Sequence, residues 1–205
     1  MSDSFQPPIK GVVLAAGQSR RLGHPKQLLE LDGRALIDRV VDRCLASRLD
    51  DVIVVVGHEA AAVRHALTGR DVFFVVNDHH EEGQSTSLIA GLNAAGDAGA
   101  IIVVLGDQPG IASAAIDRLI EARVNQGATV AMARYGAERG HPVLFGRELF
   151  AELRGITGDQ GGREVIRRHH GEIVLIDGGA DRVPADIDTL EDYARLVDRH
   201  TRSES

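Results

Sequence analysis

Leu14-Ala15-Ala16-Gly17-Gln18-Ser19-Arg20-Arg21-Leu22-Gly23, continued after His24 by Pro25-Lys26, follows directly on Gly11-Val12-Val13. The β-branched run reads as the first strand of a buried parallel sheet, and the chain leaves it into a loop with small residues at 15, 16 and 17. Small residues let backbone N–H groups approach an anion, and Arg20, Arg21 and Lys26 can neutralise it. The stretch predicts a phosphate cradle. It is not the dinucleotide fingerprint, because Gly17 and Gly23 do not give G-x-G-x-x-G. Nor is it a P-loop, because Lys26 is followed by Gln27.

Downstream the pattern alternates. Strands are expected at 51–57, 72–77, 100–105 and 128–133, separated by helices at 35–47, 58–67, 84–95 and 112–126. Residues 28–33 read as a brief extended piece and a turn, and Gln84-Ser85-Thr86-Ser87 as the cap of its helix. This alternation describes βαβ units: a parallel sheet with helices on both faces and ligands outside the carboxyl ends of the strands. By that rule Gly17, Gly57, the 77–87 segment and Gly106-Asp107 share one rim.

From Tyr135 the rhythm breaks. Arg139-Gly140-His141-Pro142 reads as a turn into a short strand at 143–145, with helices at 147–153 and 163–169 and a strand at 172–177. A hinge at 186–189 precedes a last helix over 190–200, and a tail at 201–205 is expected to fray. Thr189, followed by Glu191 and Asp192, has the form of a helix start.

Composition narrows the function. The chain has 205 residues, 43% hydrophobic and 26% charged, a globular composition with room for a substantial core. Its longest apolar run fits a buried strand and not a bilayer span, and residues 1–10 lack the apolar core of a secretory signal. A single cysteine, Cys44, excludes an intramolecular disulfide and falls on the buried stripe of its helix, so the expected compartment is the cytosol. Net charge is −7, aromatics are 3% and tryptophan is absent, which argues against a nucleic-acid partner. A basic patch on an acidic chain points to a phosphorylated small molecule, and to a nucleotide carried with a metal ion.

Asp107 ends the very apolar run Ile101–Leu105, with Gly106 before it and Pro109 after it. A carboxylate there suits Mg²⁺, which is held by one or two carboxylates together with substrate phosphates. Asp186 and Asp188 supply a second pair, on one face of an extended segment, and at least one remains for metal. His79-His80-Glu81-Glu82 reads as a solvated loop at the rim, since adjacent histidines do not converge on one ion. Ser85 and Ser87 read as caps or substrate contacts, and His141 as a substrate contact or a turn residue. No Ser-His-Asp arrangement or G-x-S-x-G elbow is present.

Taken together these pieces resemble the molybdenum cofactor cytidylyltransferases, within the nucleotidyltransferase superfamily that includes molybdopterin-guanine dinucleotide synthase. The matching segments are Leu14–Ser19 with Arg21, Gly23 and Lys26, then Gly83–Leu88 and Gly106–Pro109. Gly140-His141-Pro142, Gly158–Gly162 and Asp186–Thr189 complete the series, so the likeness runs over about residues 11–195. It implies a three-layer α/β/α, Rossmann-like fold with a mostly parallel central sheet. It implies a single domain over 11–200, after a short segment at 1–10, with a nucleotide-binding half at 11–110 and an acceptor-binding half at 111–200. The implied reaction is Mg²⁺-dependent transfer of CMP from CTP to the terminal phosphate of molybdopterin, or its metal-loaded form, releasing pyrophosphate. In that scheme Leu14, Ala15, Ala16 and Gly17, with Arg21 and Lys26, hold the triphosphate. Asn77, Gly83 and Ser87 line the base and ribose. Asp107, with Asp186 or Asp188, holds magnesium, and His141, Asp159, Gln160, Gly161 and Arg163 face the acceptor. The Ala15-Ala16-Gly17 run looks like the cytidylyl type, whereas the guanylyl branch usually reads Ala-Gly-Gly. Leu22, Glu30 and Leu190 depart from the family's usual Met, Pro and Pro. Two alternatives stand beside this reading: GTP or a sugar phosphate as substrate, and a redox or accessory role in the maturation of a molybdenum hydroxylase.

Overall fold

A computed structural model describes residues 6–19, 25–180, 182–185, 187 and 189–203. The first half runs β1 (Ile9–Ala15), the small hairpin β2 (Glu30–Leu31) and β3 (Arg34–Ala35), α1 (Leu36–Leu45), β4 (Asp51–Val56) and α2 (Ala60–Ala66). It continues with β5 (Phe73–Val76), α3 (Gln84–Ala94) and β6 (Ala100–Leu105). The second half holds α4 (Ser113–Gln126), β7 (Val130–Tyr135), β8 (Glu138–Gly146), α5 (Phe150–Arg154), α6 (Arg163–Arg168), β9 (Ile173–Asp177) and α7 (Leu190–Ser203).

Seven strands form one sheet in the order β5-β4-β1-β6-β8-β7-β9. Strands β5, β4, β1 and β6 are parallel, and β9 is parallel to β7. Only β8 runs against its neighbours. The fold is therefore the expected α/β/α sandwich with a mostly parallel sheet. Strand alternation assigns the two faces. Val13, Val54, Ile102 and Val104 pack with Ile37, Val40 and Cys44 of α1 and Ile116 and Leu119 of α4. Val12, Ile53, Val55, Ile101 and Val103 pack with Leu88 and Leu92 of α3, Leu153 of α5 and Val165. Each fully buried aliphatic side chain contributes about 1.5–3 kcal/mol by leaving water. Cys44 belongs to this core, where burial pushes its thiol up to about 12, so it packs and does not react.

Several boundaries differ from the sequence reading. Strand β1 begins at Ile9, so the ordered sheet reaches into the segment expected to precede the domain. Residues 26–28 form a 3₁₀ turn, and the piece after it is the β2–β3 hairpin, whose Asp32 and Gly33 have φ of 50° and 71°, as a tight hairpin turn requires. The 139–142 segment is not a turn but part of the nine-residue strand β8. Helix α7 continues to Ser203 instead of fraying at 201. Its start matches expectation: Asp192 N–H donates to Thr189 Oγ1 at 3.1 Å and Thr189 N–H to Asp192 Oδ2 at 3.0 Å, a reciprocal cap. Among the described residues no helix is long and apolar enough to cross a membrane.

Candidate active site

Going from β1 through β4 to β5 the chain builds outward on one side, then crosses back through α3 to place β6 on the other side of β1. Such a reversal leaves a crevice at the carboxyl ends of the strands that flank it. Here that crevice is a cleft of about 490 Å³ above the ends of β1 and β6, where Leu14, Ala15 and Leu105 line its floor.

The loop leaving β1 is held by its carbonyls. Leu14 O accepts from Gly106 N–H at 3.0 Å, Ala15 O from Gln27 Nε2 at 3.1 Å and Ala16 O from His58 N–H at 3.3 Å. Gly17 lines the cleft, and a Cβ built on it would meet nothing within 4 Å. Its φ is not positive, so neither packing nor backbone demands glycine there. Ser19 accepts from Lys26 N–H through Oγ at 2.9 Å and so ties the two ends of the loop together. Arg20 and Arg21 lie between those ends, outside the described residues.

Asp107 is set by Gly106. A side chain at 106 would come within 2.8 Å of Ile37 Cδ1 and 3.0 Å of Leu14 O, so only glycine lets the chain turn this tightly against β1. The turn delivers Asp107 into the cleft with 7% of its surface exposed. There Asp107 Oδ2 lies 2.6 Å from Lys26 Nζ. The cation expected to hold phosphate and the carboxylate expected to hold metal thus face each other across the cleft floor, each compensating the other's desolvation.

The α3 side of the cleft is supplied by Gly83, Gln84 and Ser87, with His80 and Glu81 at its edge. Gly83 has φ of 115°, and a Cβ on it would lie 2.5 Å from the Gly158 carbonyl carbon, so glycine is obligatory. Ser85 donates to Gly158 O, which locks the start of α3 onto the 158–160 turn. That contact explains Asp159 at the cleft wall.

Three readings change. Asn77 is buried but does not line the cleft; its Nδ2 donates to Thr86 Oγ1 and Ser87 Oγ, both at 2.9 Å, and its Oδ1 accepts from His79 N–H at 3.0 Å. It shapes the loop that carries Ser87. The 84–87 segment is the first turn of α3, not its cap, which is Gly83. His80 and Glu81 are not solvated bystanders: they line the cleft, and Glu81 Oε1 accepts from Gln18 Nε2 at 2.7 Å. Gln27, Gln84, His80 and Glu81 line the cleft and were not among the expected site residues. Their signal was position alone, beside a strand end or a helix start.

A second cavity of about 220 Å³ adjoins the first, sharing Leu14, Gln84, Leu105 and Arg163 with it. Its body is apolar, with Leu88, Met132, Val143, Phe145 and Ile166. His141, Gln160 and Gly161 line it, Asp159 lines the first cleft instead, and Arg163 stands at the junction of the two spaces. His141 Nδ1 lies 3.2 Å from Val103 O, and its own carbonyl accepts from Tyr135 Oη at 2.8 Å.

Of the carboxylates expected to hold metal, Asp107 is the one among the described residues. Among the described residues no group of three or more His, Cys, Asp or Glu side chains converges on one point. Asp186 and Asp188, named as further ligands, lie outside the described residues. Ile187 between them is fully buried with Leu31 and Leu36. The donor Asp107 offers is a hard oxygen already facing a cation, which fits Mg²⁺ completed by phosphate oxygens and water.

Comparison with known proteins places these features in a family. The MobA-like NTP transferase domain matches residues 11–173. Nicotine blue oxidoreductase of Paenarthrobacter nicotinovorans is 32% identical over 206 residues, covering 96% of this chain and 100% of that protein. The crystal structure of Rv0371c from Mycobacterium tuberculosis superposes with a TM-score of 0.85 at 34% identity, over 94% of this chain and 98% of that one. A structure of Rv0371c in complex with manganese superposes with a TM-score of 0.80 at 32% identity, over 93% and 98% of the two chains.

Proposed function

We propose, from the premise that the chain belongs to the MobA-like NTP transferase domain family and is a nucleotidyltransferase, that it transfers CMP from CTP to the terminal phosphate of molybdopterin or its metal-loaded form. The observation that carries this reading is the meeting of Lys26 and Asp107 at 2.6 Å on the floor of a cleft into which Gly17 opens.

The chemistry follows from what these residues can do. An oxygen of the acceptor phosphate attacks the α-phosphorus of CTP, the bond to the bridging oxygen breaks, and pyrophosphate leaves with that electron pair. The attacking group is already an anion, so no protein base is needed, and catalysis is positioning and charge neutralisation. Lys26 neutralises charge gathering on the α-phosphate and the leaving group. Arg163, at the junction of the two cavities, orients the acceptor phosphate toward the cleft. Asp107 would hold Mg²⁺, which would supply positive charge to the reacting phosphates. Rv0371c, solved in complex with manganese, supports a divalent ion in this fold.

Label from [α-³²P]CTP is expected in a molybdopterin dinucleotide, with less from GTP or UTP. Equal or greater transfer from GTP moves the reading to the guanylyl branch, and transfer only to a sugar phosphate replaces the acceptor. A redox role is the second reading, favoured by the name of nicotine blue oxidoreductase. A colourless preparation that leaves NAD(P)H unconsumed is expected, and cofactor turnover without CMP transfer would establish that alternative.

Gly17→Ala separates cradle from scaffold. Because the new methyl meets nothing in the chain, thermal stability should hold or rise slightly. The methyl occupies space that a phosphate needs to reach the backbone. Losing one charge-assisted hydrogen bond should weaken CTP roughly 10–100-fold by titration calorimetry. Unchanged affinity would place the triphosphate elsewhere.

A further inference from the structure

The second cavity carries charge that the fold itself does not use. Strands β7 and β8 pair so that Arg134 lies directly opposite Arg139. Like charges opposed on an antiparallel pair are destabilising. Both side chains are exposed, and no ion pair or hydrogen bond joins either to another described side chain. Arg182 is likewise exposed, with no ion pair to another described side chain, next to Val183, whose Cγ1 would lie 2.9 Å from a Cβ on Gly140. Most arginines elsewhere in the chain sit against carboxylates or carbonyl oxygens, as Arg34, Arg39, Arg48, Arg70 and Arg123 do. Two guanidinium groups opposed across β7 and β8, on a chain of net charge −7, are therefore a local exception.

Of that pair, Arg139 lines the cavity itself. So do Arg163 and Gly162, the latter packed against Phe145 so closely that a Cβ would come within 2.7 Å of its ring. Arg139 and Phe145 are six positions apart on β8, a separation of at most about 20 Å along an extended strand. Arg163 and Arg139 are thus two cations on the wall of a cavity whose body is made apolar by Met132, Val143 and Phe145.

We infer that the acceptor carries two anionic groups: one phosphate attacks under Arg163, and a second acidic group is selected by Arg139. This rests on reading the second cavity as the acceptor site. It goes beyond that reading in assigning the acceptor a second charge and naming the residue that demands it.

The test uses the full chain with Mg²⁺ and α,β-methylene-CTP filling the cleft, and a series of linear α,ω-alkane bisphosphates from two to eight carbons, each against its alkyl monophosphate. At the best length the bisphosphate should bind at least about tenfold more tightly, the worth of one charge-assisted contact, and Arg139→Gln should erase that advantage. Bisphosphates that gain nothing at any length, or a gain that survives Arg139→Gln, overturn the inference. Binding of the CTP analogue, read in the same titrations, keeps the two readings apart. A chain that does not bind it fails the nucleotide assignment, and one that binds it without preferring a bisphosphate fails only this one.

Discussion

Asp107→Asn is expected to lower CMP transfer by about 10³-fold or more while the chain still folds. A divalent ion at a phosphoryl centre contributes several kcal/mol to the transition state, and each 1.36 kcal/mol is a decade in rate. Asparagine keeps the shape and can still accept from Lys26, so the turn fixed by Gly106 should persist. The loss of a charged partner should cost stability by about 1–3 kcal/mol, read as a lowered midpoint of denaturation. Two measurements decide the matter. Mn²⁺ binding by electron paramagnetic resonance should vanish, and single-turnover transfer should collapse at saturating CTP. Near-normal turnover in the folded variant would remove Asp107 from the metal site.

Lys26→Met is expected to lower kcat by about 10²–10³-fold, the usual cost of deleting one preorganised charge at a developing oxyanion. The Lys26–Asp107 pair adds a second, opposite effect. A metal held by Asp107 would compete with the lysine for that carboxylate, so removing the ammonium should tighten Mn²⁺ binding without nucleotide even as CTP affinity falls. In the unaltered protein, triphosphate that draws Lys26 away from Asp107 leaves the carboxylate to the ion, so each ligand should strengthen the other's binding. A Lys26→Met chain that binds Mn²⁺ no better, or CTP no worse, would show that the pair has no part in either event.

How much of this was legible before folding depended on how local each determinant is. The β1 loop could be read because strand, small residues and basic residues are neighbours in sequence. Asp107 could be read because an apolar strand that stops at Gly-Asp leaves a carboxylate on the rim wherever the strand lies. Asn77 was misassigned for the same reason: it stands after a strand on the correct rim. Its amide is consumed by His79, Thr86 and Ser87, partners that only the folded loop brings within reach.

Strand β8 shows the other failure. His141-Pro142 has the local chemistry of a turn, because proline has no N–H to give a ladder. The chain solves this with a bulge. Met132 pairs with Val143 and Ala133 with Gly140, so His141 and Pro142 fall where the β7 ladder skips. With the strand misread as a turn, its direction was hidden, and with it the opposition of Arg134 and Arg139.

The amino-acid sequence by itself determined the alternation of strands and helices, the rim that carries the cleft and the residue types offered there. These follow from hydrophobic periodicity and backbone propensities acting over a few residues. Tertiary structure alone decided which distant side chains meet. It paired Lys26 with Asp107, turned Asn77 inward, opened Gly17 to empty space and ran β8 against the sheet. Such meetings depend on strand order and register, which are set by burying both sheet faces at once, and no short stretch of chain encodes that.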